Sequence, residues 1–138
     1  TEKTKDNPVF YVKYAHARIC SVLKKANELG YNFEKENFNL KYLNHEIHLK
    51  LCKHLSNWPK IIETSAIYKE PHRIAFYLID LSSIFHSLWS IGREKDELRF
   101  FQKNDINRTY AYLNLIKATK IVIASGLKIM SVSAPEEM

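Results

Sequence analysis

Residues that break or turn a chain are scarce here: three glycines and four prolines among 138 residues. A sandwich or barrel of short strands needs turn residues at roughly 8–12-residue spacing, which this supply cannot meet, so long helices are favoured. The few breakers also fall where they delimit long segments. Asn7-Pro8 pairs an N-cap residue with a proline at the first helical position. That start predicts a helix from Pro8 to Leu29, with Gly30 as the residue just past its end. Further helices are expected over Tyr42–Asn57, Pro59–Lys69, Pro71–Ile91 and Arg108–Ser125. Gly92 and Gly126 read as the stops of the last two. Tyr31–Lys41 and Gly92–Asn107 read as connections, and Leu127–Met138 as a short apolar tail anchored by Leu127, Ile129 and Val132. Residues 1–6 are polar and read as a linker or disordered lead-in. Residues 7–138 then form one domain of a longer protein, since the chain begins with Thr1 rather than Met.

Apolar periodicity agrees with this division. Val12, Ala15, Ile19, Val22 and Ala26 share one arc of the first helix. In the fourth, Ile74, Leu78, Leu81, Phe85 and Leu88 recur at i, i+4, i+7, i+11 and i+14. The fifth has a stripe of Ala111, Leu115, Ala118 and Val122, and further isoleucines make it apolar nearly all round. It is expected at the centre of the assembly. The fold class is therefore all-α, a bundle of about five helices.

Composition narrows the function. A formal net charge of +6 suits an anionic partner such as nucleic acid, and equally suits simple solubility. Two cysteines, Cys20 and Cys52, are too few for a disulfide framework and read as reduced cytosolic thiols. No apolar run approaches the ~18 residues of a membrane span, and no signal peptide is evident. Glycine-rich phosphate loops, nucleophile elbows and metalloprotease signatures are missing. Catalysis within these residues is not expected.

A ridge beside the core arc of the first helix carries Tyr11, Tyr14, Arg18, Ser21 and Lys25. Aromatic rings stack on unpaired bases, and cations meet phosphates. The same spacing also describes core-edge tyrosines with cations solvating the rim. Trp89 lies on the shoulder of the fourth helix's stripe, beside a loop carrying Arg93, Lys95, Arg99 and Lys103. That loop also holds Glu94, Asp96, Glu97 and Asp105, so it is no clean phosphate patch. His45, His48 and Cys52 fall at i, i+3 and i+7, on one face of the expected second helix. A structural zinc ion wants four ligands, and no further pair is evident; a partly polar helix face is the better reading. His16 and His86 read as hydrogen-bonded core histidines.

Three blocks add a resemblance: NPVFYVKYAHAR at Asn7–Arg18, EPHRIAFYLIDLSSIFHSLW at Glu70–Trp89, and ASGLKIMSVSAPEEM at the end. In this order and spacing they resemble the C-terminal anticodon-binding domain, or DALR domain, of arginyl-tRNA synthetases. The resemblance implies a helical bundle attached to a class I catalytic domain that joins arginine to tRNA using ATP and magnesium. It implies no cofactor in these residues, an arginine-accepting tRNA as partner, no membrane, a cytoplasmic location and a monomer. It further implies that Tyr11, Tyr14, Trp89 and Met138 form a pocket for anticodon-loop nucleotides. Arg18 shares the first motif, and Arg18 and Lys25 are the ridge's cations for the same RNA. Lys13, Tyr112, Ser131 and Glu137 depart from the family pattern. The rival reading is a helical protein-interaction module with an aromatic and basic binding face.

Overall fold

The computed structural model describes residues 7–34 and 38–130, which form an all-α bundle. Five α-helices follow in order: α1 (Pro8–Glu28), α2 (Glu46–Ser56), α3 (Trp58–Tyr68), α4 (His72–Glu94) and α5 (Ile106–Ile129). Short 3-10 turns occur at Leu40–Tyr42 and Asp96–Leu98. Helix α1 starts as the Asn-Pro pair predicts. The Asn7 side chain accepts hydrogen bonds from the backbone N–H of Val9 (2.9 Å) and Phe10 (3.3 Å). Such a cap is worth about 1 kcal/mol. At the other end Gly30 takes φ +84°, the left-handed conformation that favours glycine.

The other two glycines do not stop helices. Gly92 lies inside α4 and Gly126 inside α5. A Cβ on Gly126 would sit 2.7 Å from Leu78 of α4, and one on Gly92 would sit 3.2 Å from the Leu98 carbonyl oxygen. Both are glycines of close approach, and both helices run past them. Leu127 and Ile129 consequently belong to α5; Leu127 is buried, whereas Ile129 is half exposed and anchors nothing. Val132 lies outside the described residues. Helix α2 begins at Glu46, later than expected, because Leu40–Tyr42 closes its own 3-10 turn under an Asn39 cap.

Every member of the predicted α1 arc and α4 stripe is buried. The α5 stripe is corrected: Ala118 is exposed and Val122 only half buried. The buried seam instead runs Tyr112, Ile116, Thr119, Ile123 and Leu127. Thr119 is admitted because its hydroxyl donates to the Leu115 carbonyl (3.0 Å), leaving its methyl to pack. The central element is α4 and not α5 as expected: α4 packs against all four other α-helices. Its most apolar 18-residue stretch does reach the length and hydropathy of a membrane span, contrary to the sequence expectation, and half of that stretch is buried within the bundle. Contacts of Tyr11 and Arg18 with His86 and Trp89 place the ridge of the first helix against the second half of the fourth.

Candidate nucleic-acid interface

Arg18 is the middle of this site. Its guanidinium carbon lies 4.3 Å from the Tyr14 ring centroid and 4.5 Å from that of Trp89, so a cation bridges an α1 ring and an α4 ring. One guanidinium nitrogen, Nη1, also donates to Nδ1 of His86 at 3.1 Å. A guanidinium only donates, so Nδ1 is the acceptor and the imidazole proton sits on Nε2. That N–H points to the Tyr11 carbonyl oxygen at 3.4 Å. Burial, opposed by the Tyr11 hydrogen bond and reinforced by the Arg18 charge, holds His86 below its usual pKa. His86 is thus a neutral strut that fixes Arg18 between its two rings.

Further rings extend the surface. Tyr11 packs on His86 (centroids 4.7 Å), and Tyr14 lies over the same imidazole (5.5 Å, 30°) and beside Phe10 (6.2 Å, 6°). Trp89 continues to Phe100 (6.1 Å). Beyond it opens a cleft of about 490 Å³ walled by Trp89, Phe100 and Phe101, with Lys25 at its lip. The Lys25 ammonium stands 5.9 Å from the Phe101 centroid. Tyr14 is 37% exposed, while Tyr11, Arg18, His86 and Trp89 are part-buried. The result is a pre-packed, partly open row of π-faces carrying a fixed cation. Such a surface accepts a flat, electron-rich ring or an anionic group.

Five of the six residues singled out from sequence therefore sit on one continuous surface; Met138 lies outside the described residues, as do Ser131 and Glu137. His86 is the residue that sequence reasoning assigned to the core and that the structure places at the site. Its spacing from the apolar stripe carried no sign of a partner 68 residues away. Of the basic loop, Arg99 is committed locally, to Asp96 (3.2 Å) and to the Gly92 carbonyl (3.2 Å).

Of His45, His48 and Cys52, only the last two lie on α2, although the His45 ring still meets that of His48 (centroids 6.0 Å). His45 precedes α2 and caps it, its Nδ1 accepting from the Ile47 N–H at 3.1 Å. His48 is buried against the Tyr112 ring (4.8 Å), and burial lowers its pKa to about 4. Among the described residues no three His, Cys, Asp or Glu side chains converge as a metal site. Tyr112, a departure from the family pattern, is buried and its hydroxyl donates to the Glu97 carbonyl (2.8 Å), pinning α5 to the loop after α4.

Residues 12–138 match the family model of the DALR anticodon binding domain. The chain belongs to that family. It is 46% identical to an arginine–tRNA ligase of Roseobacter denitrificans over 140 residues and 45% identical to one of Rickettsia bellii over 141, in each case covering 99% of this chain. A third, from Bartonella bacilliformis, is 46% identical and covers the whole of it. The DALR chain spans only 24% of the length of these relatives. A crystal structure from Campylobacter jejuni, described as an arginyl-tRNA synthetase, superposes with a TM-score of 0.71 at 21% identity. It covers 99% of this chain and 28% of that one, and it supports the DALR fold alone.

Proposed function

We propose that this chain is the part of an arginine–tRNA ligase that grips the anticodon loop of an arginine-accepting tRNA. The observation that carries the reading is the Tyr14–Arg18–Trp89 sandwich. It combines stacking faces and a cation on rigid helices, as recognition of unpaired bases requires. In this reading Tyr14 and Trp89 stack on bases and Arg18 holds their spacing. Tyr11 supports the stack through His86, Lys25 meets a phosphate, and Met138 closes the pocket. The ligation itself, with its ATP and magnesium, belongs to a catalytic domain elsewhere in the longer protein. That protein works as a cytoplasmic monomer.

The test is binding of arginine-accepting tRNA and of the same tRNA with an altered anticodon, by fluorescence anisotropy at fixed salt. The intact chain should prefer the unaltered anticodon. Trp89→Ala should lose affinity by about 1–3 kcal/mol and most of that preference, with helical circular dichroism retained. Equal binding of both RNAs by the intact chain would overturn the reading.

A further inference from the structure

A second concave surface adjoins the aromatic cleft. It is a groove of about 650 Å³ between α1 and α5, lined by Lys24 and Lys25 from the first and by Lys117 and Lys120 from the second. Lys117 and Lys120 are three residues apart and so share one side of their helix. Two carboxylates, Glu28 and Glu34, are the only acidic groups lining the groove among the described residues. Glu34 is committed to Lys117 in an ion pair. That pair, with help from Lys120, holds the Glu34 carboxyl below the usual range. Lys24, Lys25 and Lys120 have no ion pair among the described residues. Ser21 and Lys25 line both the groove and the cleft, so the two surfaces are continuous.

We propose that this groove is a track for the sugar–phosphate backbone of the RNA whose bases stack in the cleft, with Glu34 restraining Lys117 until a phosphate competes for it. The inference rests on the RNA reading above and adds a second contact region to it. Lysine suits a backbone contact because its ammonium is a mobile point charge, without the guanidinium fork that enforces one orientation. These lysines would contribute affinity and register while reading no sequence. The cleft holds aromatic rings as well as cations, whereas the groove holds lysines and no ring, which divides base contact from backbone contact along one strand.

Salt dependence distinguishes the two regions. Affinity for the tRNA would be measured from 0.05 to 0.3 M salt for the intact chain, Lys24→Gln/Lys120→Gln, Glu34→Gln and Trp89→Ala, with circular dichroism on each. Each phosphate contact contributes a slope of about 0.7–0.9 in log affinity against log salt, or roughly five- to eight-fold in affinity at 0.1 M. The double lysine variant should flatten the slope by about 1.4–1.8. Trp89→Ala should lower affinity in parallel at all salts, with the slope kept. Glu34→Gln should steepen the slope, by up to about 0.9, and tighten binding. If the double variant keeps the intact slope while Trp89→Ala weakens binding, the groove is not a track and the stacking reading stands. If the lysines matter but Trp89 and the anticodon do not, the continuity with the cleft is overturned. If Glu34→Gln changes nothing, its restraint on Lys117 is overturned. An intact chain that does not bind the RNA at 0.05 M overturns both readings.

Discussion

Helix α4 carries two aromatic–histidine clusters of opposite character, centred nine residues apart on Tyr77 and His86. At the first, Tyr77 stacks between His54 (4.3 Å, 11°) and Trp58 (5.1 Å, 29°). The Tyr77 hydroxyl donates to the His54 carbonyl (2.7 Å), and His54 Nε2 pairs with the Tyr77 carbonyl (3.2 Å). Tyr77 and Trp58 are almost entirely buried, and burial pushes the Tyr77 hydroxyl up to about 12. At the second cluster, rings of the same kinds surround a guanidinium, and Tyr14 stands 37% exposed. Stacked rings and a histidine therefore do not by themselves mark a site. The sealed cluster closes its hydrogen bonds on its own backbone and has nothing left to offer. The open one closes one on the Tyr11 backbone and the other on Arg18, a part-buried cation.

The largest expected effect breaks the sealed cluster. Tyr77→Ala empties a ring-sized space between α2, α3 and α4 and should cost about 3–5 kcal/mol of stability, read from urea unfolding. Tyr77→Phe keeps the ring and removes one hydrogen bond, and should cost about 1 kcal/mol. Neither should change RNA affinity in whatever fraction remains folded. A loss of affinity in well-folded Tyr77→Phe would erase the distinction between the clusters.

Acid should act next. His48 and His86 both have folded pKa values below the unfolded value of 6.5, so the unfolded chain binds more protons in that window. Stability is then full above about pH 6.5 and falls as the pH drops. For His48, lowered to about 4, the loss accumulates to about 3 kcal/mol by pH 4, at ~1.4 kcal/mol per unit. His48→Phe should abolish most of that slope; an unchanged slope would assign it elsewhere. Protonation of His86 acts on the open cluster instead. It places a hydrogen on Nδ1, which can then no longer accept from Arg18, so RNA affinity should fall as the pH drops.

Tyr14→Ala follows in size. Its ring lies beside the buried arc of α1, so unfolding should shift little while RNA affinity falls by about 1–3 kcal/mol. The reverse outcome, lost stability with affinity intact, would make this cluster a second piece of structural packing.

How legible these differences were depends on the kind of interaction. The Asn7-Pro8 start, the α1 arc and the α4 stripe are local patterns, and the sequence carries them in full. The ridge of Tyr11, Tyr14, Arg18 and Lys25 was legible for the same reason, since one helix places all four. What escaped was cross-helix. Gly92 and Gly126 read as stops because a glycine of close approach differs from a terminating one only by its neighbour, here Leu98 and Leu78. His86 read as core because its bond to Arg18 joins two helices. His45 read as part of a helix face because the cap position was misplaced by the earlier expected start of α2. Lys117 and Lys120 give no signal of their own on a helix whose apolar residues dominate its pattern.

The smallest expected effect is the sharpest test of what the cation does. Arg18→Lys keeps the positive charge but removes the planar group that lies between Tyr14 and Trp89. An ammonium can approach one ring face, whereas a guanidinium can lie flat between two and still donate to His86. If Arg18 serves only as charge for a phosphate, the lysine variant should bind RNA as tightly as the intact chain, with the same salt slope. If it sets the spacing of two stacking rings, affinity should fall by about 0.5–1 kcal/mol, the scale of a cation–π contact at a partly exposed site. The salt slope should still be unchanged, because no charge has been lost. Global stability should hold as well, since Arg18 is only part-buried and the arc beneath it is untouched. Full affinity at an unchanged slope after this charge-conserving substitution would place the Arg18 charge directly on the RNA backbone, and the open cluster would then be read as an anion site lined by rings.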